Sequence, residues 1–499
     1  MSTKGFTVGT YIIKAEKKDS DLPICPTCKK CKDRSICKNR KNKKEMNKCD
    51  KCKNCSNAEK CDKFYIHKQS KATLTIGKDI ETGELIRKTF TATTEDEALD
   101  KMYKYKLDMK KAGKSIDIKK TEKTIAIFKD NKYEIVNKSE EADVIVVNTC
   151  GFIESAKEEA INTILEMAEY KKDKCKYLIA MGCLVERYKD ELAKAIPEVD
   201  LWIKYSEYNT LWEQIENVIE NKKDEKCDFN EFSDRVITTG EYYAYLKIAD
   251  GCSNRCTYCA IPYIRGPQIS RKEEDILEEA EKLANKGYKE IILIAQDTTK
   301  YGTDIYGEPK LAELLNKLSK IENIKWIRFL YAYPETIDDE LIKEVKENEK
   351  VCKYFDIPIQ HISNKVLKRM NRQSDGESIR KLIKKLRDQI PNVIIRTTVM
   401  VGFPGETEED FNELYKFIEE ARFDKLGCFS YSKEDGTPAA RLKEQIHPMT
   451  KKSRYNKIMK LQKMISKENL KEKIGKKIEV LIEGETFDHE YYLGRSLMG

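Results

Sequence analysis

Cys252, Cys256 and Cys259 stand in the run Lys247-Ile-Ala-Asp-Gly-Cys-Ser-Asn-Arg-Cys-Thr-Tyr-Cys, a Cys-x3-Cys-x2-Cys spacing with Tyr258 just before the last thiol. Three thiolates can hold three irons of a 4Fe-4S cluster and leave the fourth open, whereas an electron-transfer cluster normally uses four cysteines. An open iron is a place where a small molecule meets a reductant. The same three thiols also admit a zinc site or three unlinked core cysteines.

Such a loop needs elements that hold it. Six strand-like runs alternate with helical patterns over residues 240–440, at 244–249, 290–295, 326–332, 354–359, 393–401 and 425–431. Alternation of this kind predicts a parallel sheet, here a partial (β/α)6 barrel. Ser270-x-x-Glu273 and Thr407-x-x-Asp410 are helix-start signals, and Gly287 ends the first long helix. Reactive groups of such barrels gather at the carboxyl ends of the strands. Those ends carry Gly251-Cys252, Gln296-Asp-Thr-Thr, Tyr333-Pro334, Gln360-His361, Gly402-Phe-Pro-Gly-Glu and Glu434-Asp-Gly-Thr-Pro. His361 alone reads as a structural strand-end histidine. Upstream, Ala142-Asp-Val-Ile-Val-Val-Asn-Thr-Cys and Tyr177-Leu-Ile-Ala-Met-Gly-Cys predict consecutive strands of an open α/β sheet. They place Cys150 and Cys183 at the strand ends where such sheets bind ligands.

The chain has 499 residues, enough for several domains, and its charge is uneven. Residues 1–120 hold 31 Lys and Arg against 17 Asp and Glu, leaving 63 against 69 in the remainder. A basic front favours nucleic acid through phosphate neutralisation. Within it Cys25, Cys28, Cys31 and Cys37 repeat as Cys49, Cys52, Cys55 and Cys61. Two tetrathiolate zinc sites fit this Lys-rich segment, which cannot build a core; iron–sulfur ligation or no metal are the other readings. Residues 71–91 read as a β-hairpin, and Thr94-x-x-Glu97 as the capping box of a helix running to about Lys111. No apolar run approaches the ~18 residues that span a bilayer, and residues 1–18 lack a signal-peptide stretch. A cytoplasmic protein without a membrane partner is expected, with its seventeen cysteines reduced.

The cysteine loop resembles that of the radical S-adenosylmethionine (SAM) enzymes. Asn148-Thr-Cys-Gly-Phe-Ile-Glu-Ser-Ala, Ala295-Gln-Asp-Thr-Thr-Lys-Tyr-Gly, Asp356-Ile-Pro-Ile-Gln-His, Leu367-Lys-Arg-Met-Asn-Arg and Val401-Gly-Phe-Pro-Gly-Glu-Thr resemble the RimO methylthiotransferases over residues 127–499. The resemblance implies methylthiolation of an aspartate β-carbon in ribosomal protein uS12. SAM is cleaved at the cluster on Cys252, Cys256 and Cys259, with Tyr258, Gly402, Gly405 and Glu406 near SAM. An auxiliary 4Fe-4S cluster draws on Cys150 and Cys183, and the electron donor is a flavodoxin or ferredoxin. Alternatives are a transfer-RNA adenosine methylthiotransferase and a nucleic-acid-binding fusion protein with an inactive enzyme domain. The first cysteine of the family's auxiliary trio is missing, since none occurs between Cys61 and Cys150. The expected layout is a Cys-rich segment (1–65) and a module similar to the arm-binding region of phage-type tyrosine recombinases (66–120). An incomplete α/β methylthiotransferase domain (121–225), the barrel (240–440) and a helical linker (441–473) follow. The last piece is a truncated TRAM β-barrel (474–499).

Overall fold

The computed structural model describes residues 70–78, 85–92, 114–136, 139–220, 237, 242–485 and 492–497. The eight cysteines of residues 25–61, the helix expected from Thr94, and Cys227 lie outside them. The chain divides into a front unit, Phe6–Gly77 with Glu84–Met109, and a body that holds Lys110–Gly499. In the front, β1 (Ser70–Lys78) and β2 (Leu85–Ala92) pair as a two-stranded sheet, as the turn between two β-patterned runs predicts.

The body begins with α1 (Lys114–Asp130), β3 (Val144–Thr149), α2 (Glu154–Glu169), β4 (Tyr177–Gly182), α3 (Cys183–Ala195), β5 (Leu201–Lys204) and α4 (Leu211–Glu220). The three strands are parallel in the order β3-β4-β5. Ile145, Val147, Leu178 and Ala180 pack against Ile164 of α2 and Leu184 and Val185 of α3. Their neighbours Val146, Ile179, Met181 and Ile203 turn to the other face, against Ile125 and Phe128 of α1 and Trp212 and Ile215 of α4. Burial on both faces is why these strands read as continuous apolar runs rather than alternating ones.

The barrel strands are β6 (Tyr243–Lys247), β9 (Glu290–Ile294), β10 (Trp326–Phe329), β11 (Tyr354–Gln360), β12 (Ile394–Val401) and β13 (Lys425–Ser430), all in parallel pairings. A bridge between Ile327 and Val351 joins the sheet β6-β9-β10 to the sheet β11-β12-β13. Ile291, Leu293, Ile327, Phe355, Ile357 and Ile395 face the surrounding helices in one core. Ile292 and Ile294 turn the other way and meet Tyr243 and Tyr245. Short strands β7 (Ala249–Asp250) and β8 (Ile269–Ser270) pair antiparallel, with α5 (Ile261–Arg265) between them. The helices outside are α6 (Glu273–Asn285), α7 (Leu311–Ser319), α8 (Asp339–Glu347), α9 (Asn364–Arg369), α10 (Gly376–Gln389), α11 (Glu408–Ala421) and α12 (Pro448–Lys471).

Thr407 caps α11 as expected, accepting from the Asp410 N–H while Asp410 accepts from the Thr407 N–H. The expectation at Ser270 is corrected. Residue Lys272 caps α6 without a side-chain bond, while Ser270 lies in β8 and its hydroxyl donates to Asp304. After α12, β14 (Val480–Glu485) and β15 (Tyr492–Ser496) form an antiparallel pair held to the barrel by Arg495, which meets Glu290 at 2.9 Å and Glu483 at 2.6 Å. No helix among the described residues is long and apolar enough to cross a membrane.

Candidate active site

The loop of Cys252, Cys256 and Cys259 leaves the carboxyl end of β6 and is pinched shut at its base. Ala249 pairs with Ser270 and Asp250 with Ile269, and the Cys252 N–H donates to the Gly266 carbonyl at 3.1 Å. Gly251 makes that closure possible: its φ is +71°, and a Cβ there would sit 2.0 Å from the Pro267 oxygen. Three other segments clamp the loop. The Thr257 hydroxyl donates to the Arg369 carbonyl (2.8 Å), its N–H donates to the Met370 carbonyl (3.0 Å), and Asn371 donates to the Arg255 carbonyl (3.0 Å). From the last strand end, the Ala439 N–H donates to the Thr257 carbonyl at 2.9 Å. From β9, Asp297 accepts from Asn254 (2.8 Å) and from Thr299 (2.6 Å). Of the polar motifs read at the strand ends, Gln296–Thr299 braces the cysteine loop through Asp297.

Cys252 and Cys256 are buried and Cys259 is half-buried. Burial pushes the Cys252 thiol up to about 11 and the Cys259 thiol up to about 12, so both stay protonated until a metal displaces the proton. The Tyr333 hydroxyl lies 3.9 Å from the Cys256 sulfur. No three His, Cys, Asp or Glu side chains among the described residues converge closely enough for one ion. One zinc with Zn–S bonds near 2.3 Å needs its sulfurs roughly 4 Å apart, whereas a four-iron cube holds its cysteines at separate corners and farther apart. The three thiols on one braced loop are the residues that would hold a 4Fe-4S cluster.

Residues 402–406 form a tight turn braced by the chain itself. Gly402 and Gly405 have φ of +72° and +81°, and an added Cβ would meet Lys451 Cγ at 2.4 Å and Arg369 Cζ at 2.7 Å. The Glu406 carboxylate accepts from the Phe403 N–H (3.0 Å) and pairs with Arg454 of α12 (2.9 Å). It holds the turn. Tyr258 packs edge-on against Phe403 of that turn, with ring centroids 6.5 Å apart. His361 is fully buried; its Nδ1 accepts from the Ser363 N–H at 3.0 Å, and burial pushes its imidazole down to about 3. It is a neutral structural group, as read from the sequence.

Thr149 pairs with Gly182 in the register of β3 and β4, so Cys150 and Cys183 leave neighbouring strands side by side. Cys183 and Phe152 pack against Ala260 and Ile264 just past the cysteine loop, which brings the α/β domain's strand ends to the barrel's. Arg265, buried at this junction, donates to the Cys183 sulfur at 3.6 Å and pairs with Asp250 at 3.3 Å. The Tyr205 hydroxyl donates to Asp250 at 2.5 Å. Burial alone would raise the Asp250 carboxyl, but Lys247, Arg265 and Lys120 hold it well below the usual carboxylate range. Cys175 sits at the start of β4, the end away from Cys150 and Cys183, bonded to the Tyr177 carbonyl. Sequence reading missed Arg265, because one arginine after an apolar turn carries no spacing signal; Arg372 was visible only as the last residue of a quoted motif.

Comparison with known proteins agrees with this geometry. The radical SAM superfamily model matches residues 246–418, and that of the uncharacterized protein family UPF0004 matches residues 106–204. The ribosomal protein uS12 methylthiotransferase RimO of Alkaliphilus oremlandii is 65% identical over 368 residues, covering 73% of this chain and 83% of that protein. The protein of the same name from Acetivibrio thermocellus is 54% identical over 376 residues, with the same two coverages. Among solved structures, the radical SAM methyltransferase TsrM of Kitasatospora setae aligns at a TM-score of 0.46 and 13% identity, over 60% of this chain and 66% of that one. With a three-thiol loop at the carboxyl end of a parallel barrel and sequence identity this high over most of the relatives' length, the chain belongs to the RimO family of radical SAM methylthiotransferases.

Proposed function

We propose that this chain is a radical SAM methylthiotransferase whose substrate is an aspartate of ribosomal protein uS12. The observation that carries the reading is the Cys252–Cys256–Cys259 loop, locked by bonds from residues 297, 369–371 and 439 at the mouth of the barrel. When bound there, a 4Fe-4S cluster with an open iron supplies the reductive cleavage of SAM. The chain's own contribution is placement. The β7–β8 pinch fixes the loop, Asp297 and Thr257 orient it, and the domain of Cys150 and Cys183 covers one side through Phe152 and Tyr205. A flavodoxin or ferredoxin is the proposed electron donor, and the cytoplasm the proposed compartment.

Sulfur insertion is where this chain stands apart. The family's first auxiliary cysteine has no counterpart between Cys61 and Cys150, so SAM cleavage is expected to outrun methylthiolation. The test is an anaerobic assay on the reconstituted full chain, measuring deoxyadenosine with and without uS12 and methylthio-aspartate by mass spectrometry. Deoxyadenosine release abolished by Cys256→Ala supports the reading; none from the intact loaded chain defeats it. Two full clusters per chain, retained after residues 1–65 are removed, would overturn the view of the second site. For residues 1–120 the surplus of Lys and Arg supports a salt-sensitive affinity for nucleic acid, and the β1–β2 pair supports the likeness to a recombinase arm module.

A further inference from the structure

Buried polar groups are nearly always paired, so an unpaired one at a site mouth points to something the polypeptide does not itself provide. Four buried or half-buried arginines of the body each hold a carboxylate within 2.9 Å, although Arg328 NH1 and Arg454 Nε have no hydrogen-bond partner among the described residues. Arg328 meets Glu290 at 2.7 Å, Arg454 meets Glu406 at 2.9 Å, Arg396 meets Asp356 at 2.9 Å and Arg495 meets Glu483 at 2.6 Å. Arg372 differs. Its side chain is 1% exposed, yet neither Nε nor NH1 has a hydrogen-bond partner among the described residues. Only NH2 is bonded, to the Pro358 carbonyl at 3.2 Å. The nearest carboxylate, Glu335, stands 3.5 Å from Nε, and its own Oε2 is unpartnered.

The place is as telling as the vacancy of partners. The Arg372 guanidinium lies over the Tyr333 ring at 4.2 Å, and the Tyr333 hydroxyl lies 3.9 Å from the Cys256 sulfur. Gln296, at the end of β9, is also buried with both amide atoms unpartnered. A guanidinium is always charged and offers planar N–H donors that match a carboxylate. Stacking on Tyr333 fixes the plane of that fork in advance.

We propose that Arg372 is the receptor for a carboxylate bound beside the cysteine loop, with Gln296 as a second donor. Two carboxylates reach such a site under the function proposed above, on which this inference rests: that of SAM itself and that of the substrate aspartate. The experiment separates them. On the full chain with its loop cluster reconstituted anaerobically, equilibrium dialysis measures the affinity of SAM against decarboxylated SAM. It also measures a uS12 peptide carrying Asp against the same peptide carrying Asn. Wild type should favour the carboxylate form of one pair by roughly 10- to 100-fold, the range of a charge-assisted bond. Arg372→Gln should bind both members of that pair alike, and Arg372→Lys should keep part of the preference. The pair that responds identifies the source. Arg372→Lys, which keeps the charge, serves as the folded control, because the wild-type preference by itself does not single out Arg372. SAM binding with no preference in either pair, or full preference retained in Arg372→Gln, overturns the proposal alone. Failure of the loaded wild type to bind SAM overturns the functional reading, and this proposal with it.

Discussion

Replacing His361 by Asn should flatten the acid side of the barrel's stability curve. His361 follows β11, is fully buried, and uses Nδ1 to accept from the Ser363 N–H, so a proton there would break that bond inside the core. Burial lowers the imidazole from 6.5 to about 3, with Asp410 pulling up and Arg454 down by less. The folded value lies below the unfolded one. The contribution is therefore fully present above pH 6.5 and is lost as the pH falls toward 3. One proton taken up on unfolding gives a slope of about 1.36 kcal/mol per pH unit, or about 2 kcal/mol lost between pH 7 and pH 5. Asn keeps an acceptor for Ser363 but does not titrate. Urea unfolding of the full chain, followed by Trp326 fluorescence in a Trp202→Phe, Trp212→Phe background, reports on the barrel alone. The gap between wild type and His361→Asn should close by about 2 kcal/mol from pH 7 to pH 5. A gap that stays constant over that range refutes the reasoning.

Arg495→Met should loosen the C-terminal hairpin. It removes one of the two cations on Glu290, and with Arg328 still in place the cost should be about 2–3 kcal/mol, under the ~3–5 for a charge left alone. Faster amide exchange across β14 and β15 is the readout, and unchanged exchange would contradict the anchoring role. Gly251→Ala cannot be accommodated with a Cβ 2.0 Å from the Pro267 oxygen, so the loop should open. Iron bound after reconstitution should fall several-fold while the circular dichroism of the barrel persists; full iron loading would show that the pinch is dispensable.

The barrel was legible because its strands, covered on both sides, spell apolar runs of the right length between helical patterns. Thr407 was legible because a capping box closes within four residues. Ser270 was misread for the converse reason. Its pattern is that of a cap, but its partner Asp304 lies 34 residues away. Gly402 and Gly405 were read as lying near SAM, and nothing local tells that Lys451 and Arg369 fill the space beside them. The same holds for Arg265 and Arg372, whose meaning comes from Asp250, Cys183, Tyr333 and Glu335, all brought together only by the fold.

The two ends of the barrel differ in how closely charge is matched, and the difference separates stability from function. At the amino ends of the strands, Glu290, Arg328 and Arg495 share one buried network, with each opposite charge within 2.9 Å. Such a group is already matched in charge, and removing Glu290 would leave Arg328 without its carboxylate. At the carboxyl ends, Arg372 and Gln296 keep donors unpaired next to the cysteine loop, a cost the fold bears throughout its life. A chain under no functional demand would sooner place leucine there. Substitutions at the first end should therefore lower the unfolding free energy and leave ligand affinity alone. Substitutions at the second should weaken binding while leaving the fold as stable as before, or more so.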